Sequence, residues 1–432
     1  MDKFFRITEL GSTYKREIIG GLTTFMTMAY ILIVQPKIME AAGIPFGASL
    51  LATIITAFFG TILMGVYARR PFAIAPYMGE NAFIAFTVVK VMGYSWQQAV
   101  AAIFISGVVF TLITVFKLRK WLVNGIPKNM SIAFTVGIGL FLTFIGLNES
   151  GLVTLGAPGA PVHIGDLTQT PQLLAIVGFL VISILMLKNK NGAIIIGLLL
   201  VTFLGIIMGE VKMPEKVFSE PAPIGSVFNQ MDFTGVFTWG FIPVILTVIV
   251  MDFVDTMGTL LGVSYKAGFL DEQGNLPEIE KPMLVDALST LVAGLFSTTS
   301  AGAYIESAAG VHAGARTGLA SVVTGLMFLL ALFIAPLLSI FPGFAYGPAM
   351  IVVGMLMFST LKDLELGDMS ELIPAFTIII LMSFTFNMGI GMTSGFIVYP
   401  LVKMVSGKTK EISGAIWALA VVSLLFFVFY PY

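Results

Sequence analysis

Arg70-Pro71-Phe72-Ala73-Ile74-Ala75-Pro76-Tyr77-Met78-Gly79-Glu80-Asn81 interrupts a strongly apolar chain with two prolines. Proline lacks an N–H and turns the residue before it away from helical geometry, so a helix is expected to begin only near Gly79. A counterpart lies in the second half, where Ser297-Thr298-Thr299-Ser300-Ala301-Gly302-Ala303-Tyr304-Ile305-Glu306-Ser307 is small and hydroxyl-rich. There the helix is expected to resume near Tyr304. Both stretches read as an extended strip followed by a half-helix, each with a Tyr and then a Glu near its start: Tyr77 with Glu80, and Tyr304 with Glu306. Irregular backbone at membrane depth is tolerated only where protein or a water-filled cavity satisfies it. A matched pair of such breaks points to the binding site of an inverted-repeat transporter. Half-helix N-termini offer free N–H groups and partial positive charge, which suit an anionic or carbonyl-bearing ligand.

The surroundings of both breaks belong to a membrane. Of 432 residues, 57% are hydrophobic and 11% charged, and the mean hydropathy is +0.98; soluble domains average roughly 25% charged residues. Apolar runs recur from Ile18 onward with no polar block large enough for a soluble module, so 1–432 reads as one transmembrane domain. Spanning segments need about 17–25 residues, and the runs divide at 18–34, 47–67, 72–92, 97–116, 131–147, 172–187 and 192–208. After the polar stretch Gly209 to Thr238, seven more follow at 239–265, 283–297, 298–315, 317–340, 347–361, 370–388 and 389–405. The expected fold class is therefore an all-α membrane protein with 14 segments in two inverted seven-span repeats, 1–208 and 239–405. The final run, 412–430, is expected to be an extra hydrophobic helix, either spanning or lying along the inner face. Cytoplasmic loops collect Lys and Arg. With the N-terminus inside, only Lys37, Lys90, Lys212 and Lys216 fall outside, leaving the other 19 of 23 basic residues inside.

Several functions are disfavoured by composition. Twenty-three basic against 24 acidic residues give a net charge of -1, and no basic cluster tracks a phosphate backbone, so nucleic acid is an unexpected partner. The absence of cysteine removes disulfides, thiolate nucleophiles and Cys-metal sites, and His163 and His312 are too few for a histidine cage. No metal and no cofactor are expected. The charged segment Met1 to Glu17 runs into a long apolar stretch without a small-residue cleavage site, which argues against a removed signal peptide.

Within the spans stand Glu80, Asp252, Asp255, Asp286 and Glu306, with no Lys or Arg deep enough to pair with them. An ionised carboxylate at that depth costs about 2.5 kcal/mol or more, so each is expected to carry a proton or to face a polar cavity. Such a group suits a proton-coupled carrier. Asp255 and Thr259 share a helix face at a spacing of four, and the hydroxyl is expected to orient the carboxylate; Asp252 is close enough to Asp255 that the two would not both ionise easily. Asp286, only a few residues inside the span 283–297, is equally suited to a structural tie. His312 reads as a bystander.

At these residues the sequence resembles the nucleobase:cation symporter family of the second type, in its AzgA-like purine permease branch. Gly21-Leu22-Thr23-Thr24-Phe25-Met26-Thr27-Met28-Ala29-Tyr30-Ile31-Leu32, Asp252 to Leu260, and Tyr304-Ile305-Glu306-Ser307-Ala308-Ala309-Gly310 with Arg316-Thr317-Gly318-Leu319 carry the likeness, and with the span pattern it covers the chain. The resemblance implies a core (spans 1–4 and 8–11), a gate (spans 5–7 and 12–14), and a nucleobase held between short strands of spans 3 and 10. It implies that Asp255 binds the base edge with Thr259 as its partner, and that Glu306 is the second acid. It also implies proton coupling, with sodium as the other candidate ion, and a homodimer in the cytoplasmic membrane. The expected substrate-binding set is Asp255, Glu306, Thr259, Ser307, Tyr304, Met78, Gly79, Glu80, Phe83 and Thr24, and the proton-coupling set is Asp255, Glu306 and Asp252. The chain departs from the branch at Gly79-Glu80-Asn81, usually Gly-Leu-Asn, at Gln35 before Pro36, usually Asn, and in the diluted hydroxyl run before Tyr304. A nucleobase offers N–H donors beside acceptors on one edge, which carboxylates accept as they do elsewhere, and stacking on Phe83, Tyr304 or Phe25 would add about 1–3 kcal/mol. The expected function is symport of hypoxanthine, guanine or adenine. Competing readings are a uracil, xanthine or anion carrier on the same fold, a channel, and an intramembrane enzyme, the last disfavoured because Asp252 and Asp255 share one helix.

Overall fold

The computed structural model describes residues 2–116, 126–157, 160–238, 240–270, 276–385 and 387–429. Lys117, Arg119 and Lys120, assigned above to an inner loop, lie outside the described residues, as does Tyr430. Long apolar runs become helices because no water is available to the backbone within a bilayer. In the first half these are Tyr14–Met28, Ile31–Ala41, Phe46–Leu63, Trp96–Val115, Lys128–Glu149, Thr170–Leu187 and Ala193–Ile207. In the second they are Ile242–Ala267, Glu280–Leu295, Gly318–Leu330, Gly343–Phe358, Met369–Phe384 and Met388–Val405. Among the described residues, nine helical stretches are long and apolar enough to cross a bilayer. The chain is a multi-pass membrane protein.

Three features differ from the sequence reading. The first span is not one helix over 18–34: it breaks at Ala29 and Tyr30 and continues through Pro36 to Ala41. The second half-helix begins at Ser307, three residues later than expected, because Tyr304 to Glu306 form a turn that leads into it. The outer loop holds an antiparallel hairpin, Val153–Ala157 with Ala160–Ile164, where alternation was too short to read. The final run forms the helix Gly414–Phe429, packed on Met388–Val405 and Ile242–Ala267.

Small residues let helices approach at backbone distance, the usual device where lipid gives no hydrophobic drive. Lys128–Glu149 meets Gly343–Phe358 so closely that a Cβ on Gly354 would lie 2.3 Å from the Gly139 carbonyl oxygen, and one on Gly146 2.6 Å from that of Gly347. With Met369–Phe384 and Met388–Val405 these helices form one packed group; Tyr14–Met28, Phe46–Leu63, Trp96–Val115, Glu280–Leu295 and Gly318–Leu330 form the other. The extended parts of the two breaks pack on the second group, chiefly against Phe46–Leu63 and Glu280–Leu295.

Helix ends in the loops are closed by side chains. Trp96–Val115 carries a capping box, with Ser95 Oγ accepting from Gln98 N at 3.2 Å and Gln98 Oε1 accepting from Ser95 N at 3.1 Å. Met369–Phe384 starts at Asp368, whose Oδ1 accepts from Ser370 N at 2.9 Å while its Oδ2 pairs with Lys408. These partners, the Lys408 ammonium first, hold the Asp368 carboxyl below the usual range. Asp368→Ala is expected to lower the thermal midpoint more than Asp368→Asn, which keeps a capping oxygen. Because the folded pKa is depressed, the contribution is whole above the ordinary value of 3.8 and fades as pH falls from there toward the folded value. Thermal scans of wild type and Asp368→Ala at neutral and acid pH should therefore converge at the acid end.

Candidate functional site

The two extended strips pair with each other. Ile74–Pro76 and Ala301–Ala303 run antiparallel in the register Ile74 to Ala303, Ala75 to Gly302 and Pro76 to Ala301. Tyr77 N donates to Ser300 O at 2.9 Å and Tyr304 N to Ala73 O at 3.0 Å, extending the ladder at both ends. A two-stranded ribbon leaves its outer backbone groups unpaired, and here side chains from neighbouring helices take them. Thr61 Oγ1 accepts from Ile74 N at 2.9 Å and donates to Ile74 O at 3.0 Å. Thr290 Oγ1 does the same for Ala301 at 3.2 Å each way. Ser307 Oγ accepts from Ala73 N at 3.0 Å and Asp286 Oδ2 from Ala303 N at 3.3 Å. Gln35 ties the two breaks together: its Nε2 donates to Thr298 Oγ1 at 3.0 Å and Thr299 Oγ1 at 3.1 Å, and its Oε1 accepts from Asn81 Nδ2. Asp286 is thus a structural tie.

Where the strands end, a chamber of about 110 Å³ opens. Drug-sized ligands fill roughly 300–1,000 Å³, so this space suits something smaller. Tyr77, Met78 and Gly79 line it from the first break, Ala303, Tyr304, Ile305 and Glu306 from the second, Asp255 and Thr259 from Ile242–Ala267, and Tyr30, Val353 and Met357 complete it. The rings of Tyr77 and Tyr304 are nearly parallel, at 6° with centroids 6.3 Å apart. Carbon atoms pack best at about 3.5–4.0 Å, so a ring inserted between the two would need about 7 Å or more; a planar ligand meets an outer face. Tyr304 O–H donates to the Pro76 carbonyl, and Tyr77 Oη lies 3.1 Å from Thr256 Oγ1. Tyr30 O–H donates to Glu306 Oε1 at 2.6 Å, fixing that carboxylate at the chamber wall.

Six of the expected site residues meet here: Asp255, Thr259, Glu306, Tyr304, Met78 and Gly79. The role expected of the Thr259 hydroxyl is corrected. It donates to the Asp255 backbone carbonyl at 2.7 Å, the ordinary fate of a threonine inside an apolar helix, rather than to the carboxylate. Four others, with Asp252, do not line the chamber. Ser307 is spent on the strand, Thr24 packs so tightly on Gly310 that a Cβ there would lie 2.1 Å from its hydroxyl, and Glu80, Phe83 and Asp252 are buried outside the lining. Phe25 packs edge-on against Phe328. Tyr30 and Tyr77 stood inside the quoted motifs, and their hydroxyls next to acids were the available signal; Val353 and Met357 had none.

Ile305 and Glu306 also line a second cavity of about 670 Å³, bounded by Thr27, Lys190, Asn191 and His312. The chamber and this wider space therefore share a wall. A third cavity, of about 710 Å³, lies beside Phe253, Val254 and Gly258, with Lys128 and Asp363 at its rim.

A model of a permease family matches residues 15–396. The chain belongs to this permease family. The likeness to nucleobase:cation symporters of the second type, carried above by three motifs, is upheld over nearly the whole permease. It is 40% identical over 440 residues to the guanine/hypoxanthine permease PbuG of Bacillus subtilis strain 168, covering 99% of this chain and 100% of that protein. It is 38% identical over 429 residues to the adenine permease AdeP of Escherichia coli strain K12, covering 99% and 96%. Among solved structures, the transmembrane domain of the cyanobacterial bicarbonate transporter BicA superposes with a TM-score of 0.64 at 17% identity, over 88% of this permease and 97% of that chain. SLC26A9 does so at 0.65 and 11% identity, over 94% and 66%. At those identities the superpositions show the shared fold, and the curated relatives are permeases rather than enzymes.

Proposed function

We propose that this permease is a secondary active transporter that takes up purine nucleobases, such as hypoxanthine, guanine or adenine, together with protons. The observation that carries the reading is the meeting of Asp255 and Glu306 across a small chamber walled by parallel tyrosine rings. A purine edge presents N–H donors that two carboxylates accept, its carbonyl or ring nitrogen faces the polar end of a half-helix, and its flat face stacks on Tyr304 for about 1–3 kcal/mol. The names of the relatives, adenine and guanine/hypoxanthine permeases, agree. An anion is disfavoured because the described lining holds two acids and no Lys or Arg. In this reading Asp255, Glu306, Thr259, Tyr304, Met78 and Gly79 bind substrate, and Asp255 and Glu306 exchange the coupling proton. No metal or cofactor takes part. The repeats 1–208 and 239–405 supply the two halves of the site, the core moves against the gate, the N-terminus is cytoplasmic, and the protein sits in the cell membrane as a homodimer.

The test is uptake of labelled hypoxanthine, guanine and adenine by cells lacking their own purine permeases. Saturable uptake is expected, competed by unlabelled purines and abolished when the proton gradient is collapsed. Uptake of none of the three, or competition by uracil alone, rejects the substrate; uptake indifferent to the gradient rejects the coupling.

A further inference from the structure

Arg316-Thr317-Gly318-Leu319 lies in the turn between the half-helix Ser307–His312 and the helix Gly318–Leu330, outside the chamber lining. Glu17, wholly buried in the first turn of Tyr14–Met28, reaches this turn. Its Oε1 accepts from Arg316 N at 2.9 Å and its Oε2 from Thr317 N at 3.2 Å. Thr317 Oγ1 accepts from Leu319 N at 3.3 Å and caps the helix that follows. The Arg316 guanidinium is engaged with the carbonyls of Val311 at 2.8 Å and Ala315 at 2.7 Å, where the half-helix ends. Glu17 thus stands at the starts of two helices, where N–H groups lack partners within the helix and partial positive charge favours an acid.

Glu17 also heads one face of its helix. Gly20, Thr24 and Thr27 follow at spacings of three, four and three, which puts them on the same side, and each meets the second break further along. A Cβ on Gly20 would lie 2.6 Å from Ala315 Cβ, and one on Gly310 would lie 2.5 Å from the Gly20 carbonyl oxygen and 2.1 Å from Thr24 Oγ1. Thr27 Oγ1 stands 3.5 Å from the Glu306 carbonyl oxygen, and past the bend at Ala29 the Tyr30 hydroxyl donates to Glu306 Oε1 at 2.6 Å. The half-helix is therefore packed on this face along its length and bonded at both ends. The Tyr30 bond is made to the Glu306 side chain; the Glu17 bonds are made to backbone, and so set the register of the half-helix. A slip of one residue at the turn carries Glu306 about 1.5 Å along the axis, which takes it out of reach of an O–H···O bond of about 2.5–3.0 Å. We infer that Glu17 is a positioning residue for Glu306: it anchors the turn that ends the half-helix and so fixes where the Glu306 carboxylate stands in the chamber. The inference rests on the reading of Glu306 as a purine ligand.

The test measures binding of labelled hypoxanthine, guanine and adenine to the full-length protein in detergent, together with backbone hydrogen exchange. Glu17→Gln keeps one acceptor oxygen and turns an amide N–H₂ toward a backbone N–H; Glu17→Ala leaves both backbone donors without a partner. Glu17→Gln is expected to raise the purine Kd about 10-fold, the lower end for loss of a hydrogen bond to a charged group, and Glu17→Ala to raise it further. The number of sites per folded molecule stays the same. If Glu17→Ala does not fold, Glu17→Gln carries the test alone. Exchange should quicken over 307–317 and stay as it is over the first half-helix, Met78–Ala82. Asp368→Ala, which weakens a distant helix cap, should lower the thermal midpoint and leave Kd alone. In a Glu306→Gln background Glu17→Gln should add little, because residues acting through one another are non-additive. Fewer sites at an unchanged Kd would make Glu17 a folding residue only and overturn the proposal, as would an equal effect with and without Glu306. Should the wild type bind none of the three bases, the purine reading falls, and exchange then decides the anchor: faster over 307–317 upholds it, unchanged overturns it.

Discussion

Asp255→Asn and Glu306→Gln are each expected to reduce initial purine uptake by about 10- to 150-fold, with accumulation against a gradient lost altogether. The size follows from hydrogen bonds to a charged acceptor, worth about 1.5–3 kcal/mol each, at 1.4 kcal/mol per decade. Both replacements are nearly isosteric, so packing survives and the charge is what changes. Glu306→Gln is the sharper of the two, because Gln Oε1 still accepts from Tyr30, which now donates at 2.6 Å to the carboxylate; the wall stays in place while the group proposed to exchange the proton is gone. Asp255 has Thr259 one turn along, but that hydroxyl serves the helix backbone, so Thr259→Val should cost far less than either acid. Uptake assays of the three variants at matched surface expression check the order. Wild-type accumulation by either acid variant would remove that acid from the coupling step.

Much of this arrangement was legible because the membrane leaves a chain few options. Apolar runs of spanning length had to be helices, and the prolines at 71 and 76 and the small residues around Gly302 had to interrupt them. What periodicity could not give was the partner of each strip. That the breaks pair with each other depends on Thr61, Thr290, Ser307 and Asp286 reaching the outer backbone edges, contacts made across distant sequence. The same blindness explains the sorting of the acids. Glu80 and Asp252 stood in the expected sets beside Asp255 and Glu306, since all are carboxylates in apolar segments with no Lys or Arg near them in sequence. Only the folded chain separates Asp255 and Glu306, which line the chamber, from Glu80 and Asp252, which are buried outside its lining. Thr24 and Ser307 were read as ligand contacts from their place in motifs, yet close packing on Gly310 and the need of Ala73 N for an acceptor claim them first.

At Gly302, beside the chamber, a single added methyl group should do large harm. It sits opposite Ala75 in the strand pair, and a Cβ there would fall 2.0 Å from Tyr77 Oη and 2.4 Å from its Cζ. The ring has little room to yield: Tyr77 is 5% exposed, its hydroxyl engages Thr256 at 3.1 Å, and Tyr304 lies parallel on one side. Gly302→Ala must therefore push the ring into the chamber or part the strands. Overpacking of this kind typically costs about 1–3 kcal/mol, and either outcome deforms the binding space, so a lowered thermal midpoint and loss of uptake are expected together. Tyr77→Ala in the same chain removes the obstacle. Residues in contact give non-additive effects, so the double variant should unfold near the midpoint of Tyr77→Ala alone while uptake stays lost, because the chamber then lacks one of its two parallel rings. If stability and uptake both returned in the double variant, Tyr77 would be an obstacle to Gly302→Ala and nothing more, and the chamber would owe its shape to Tyr304 and the acids.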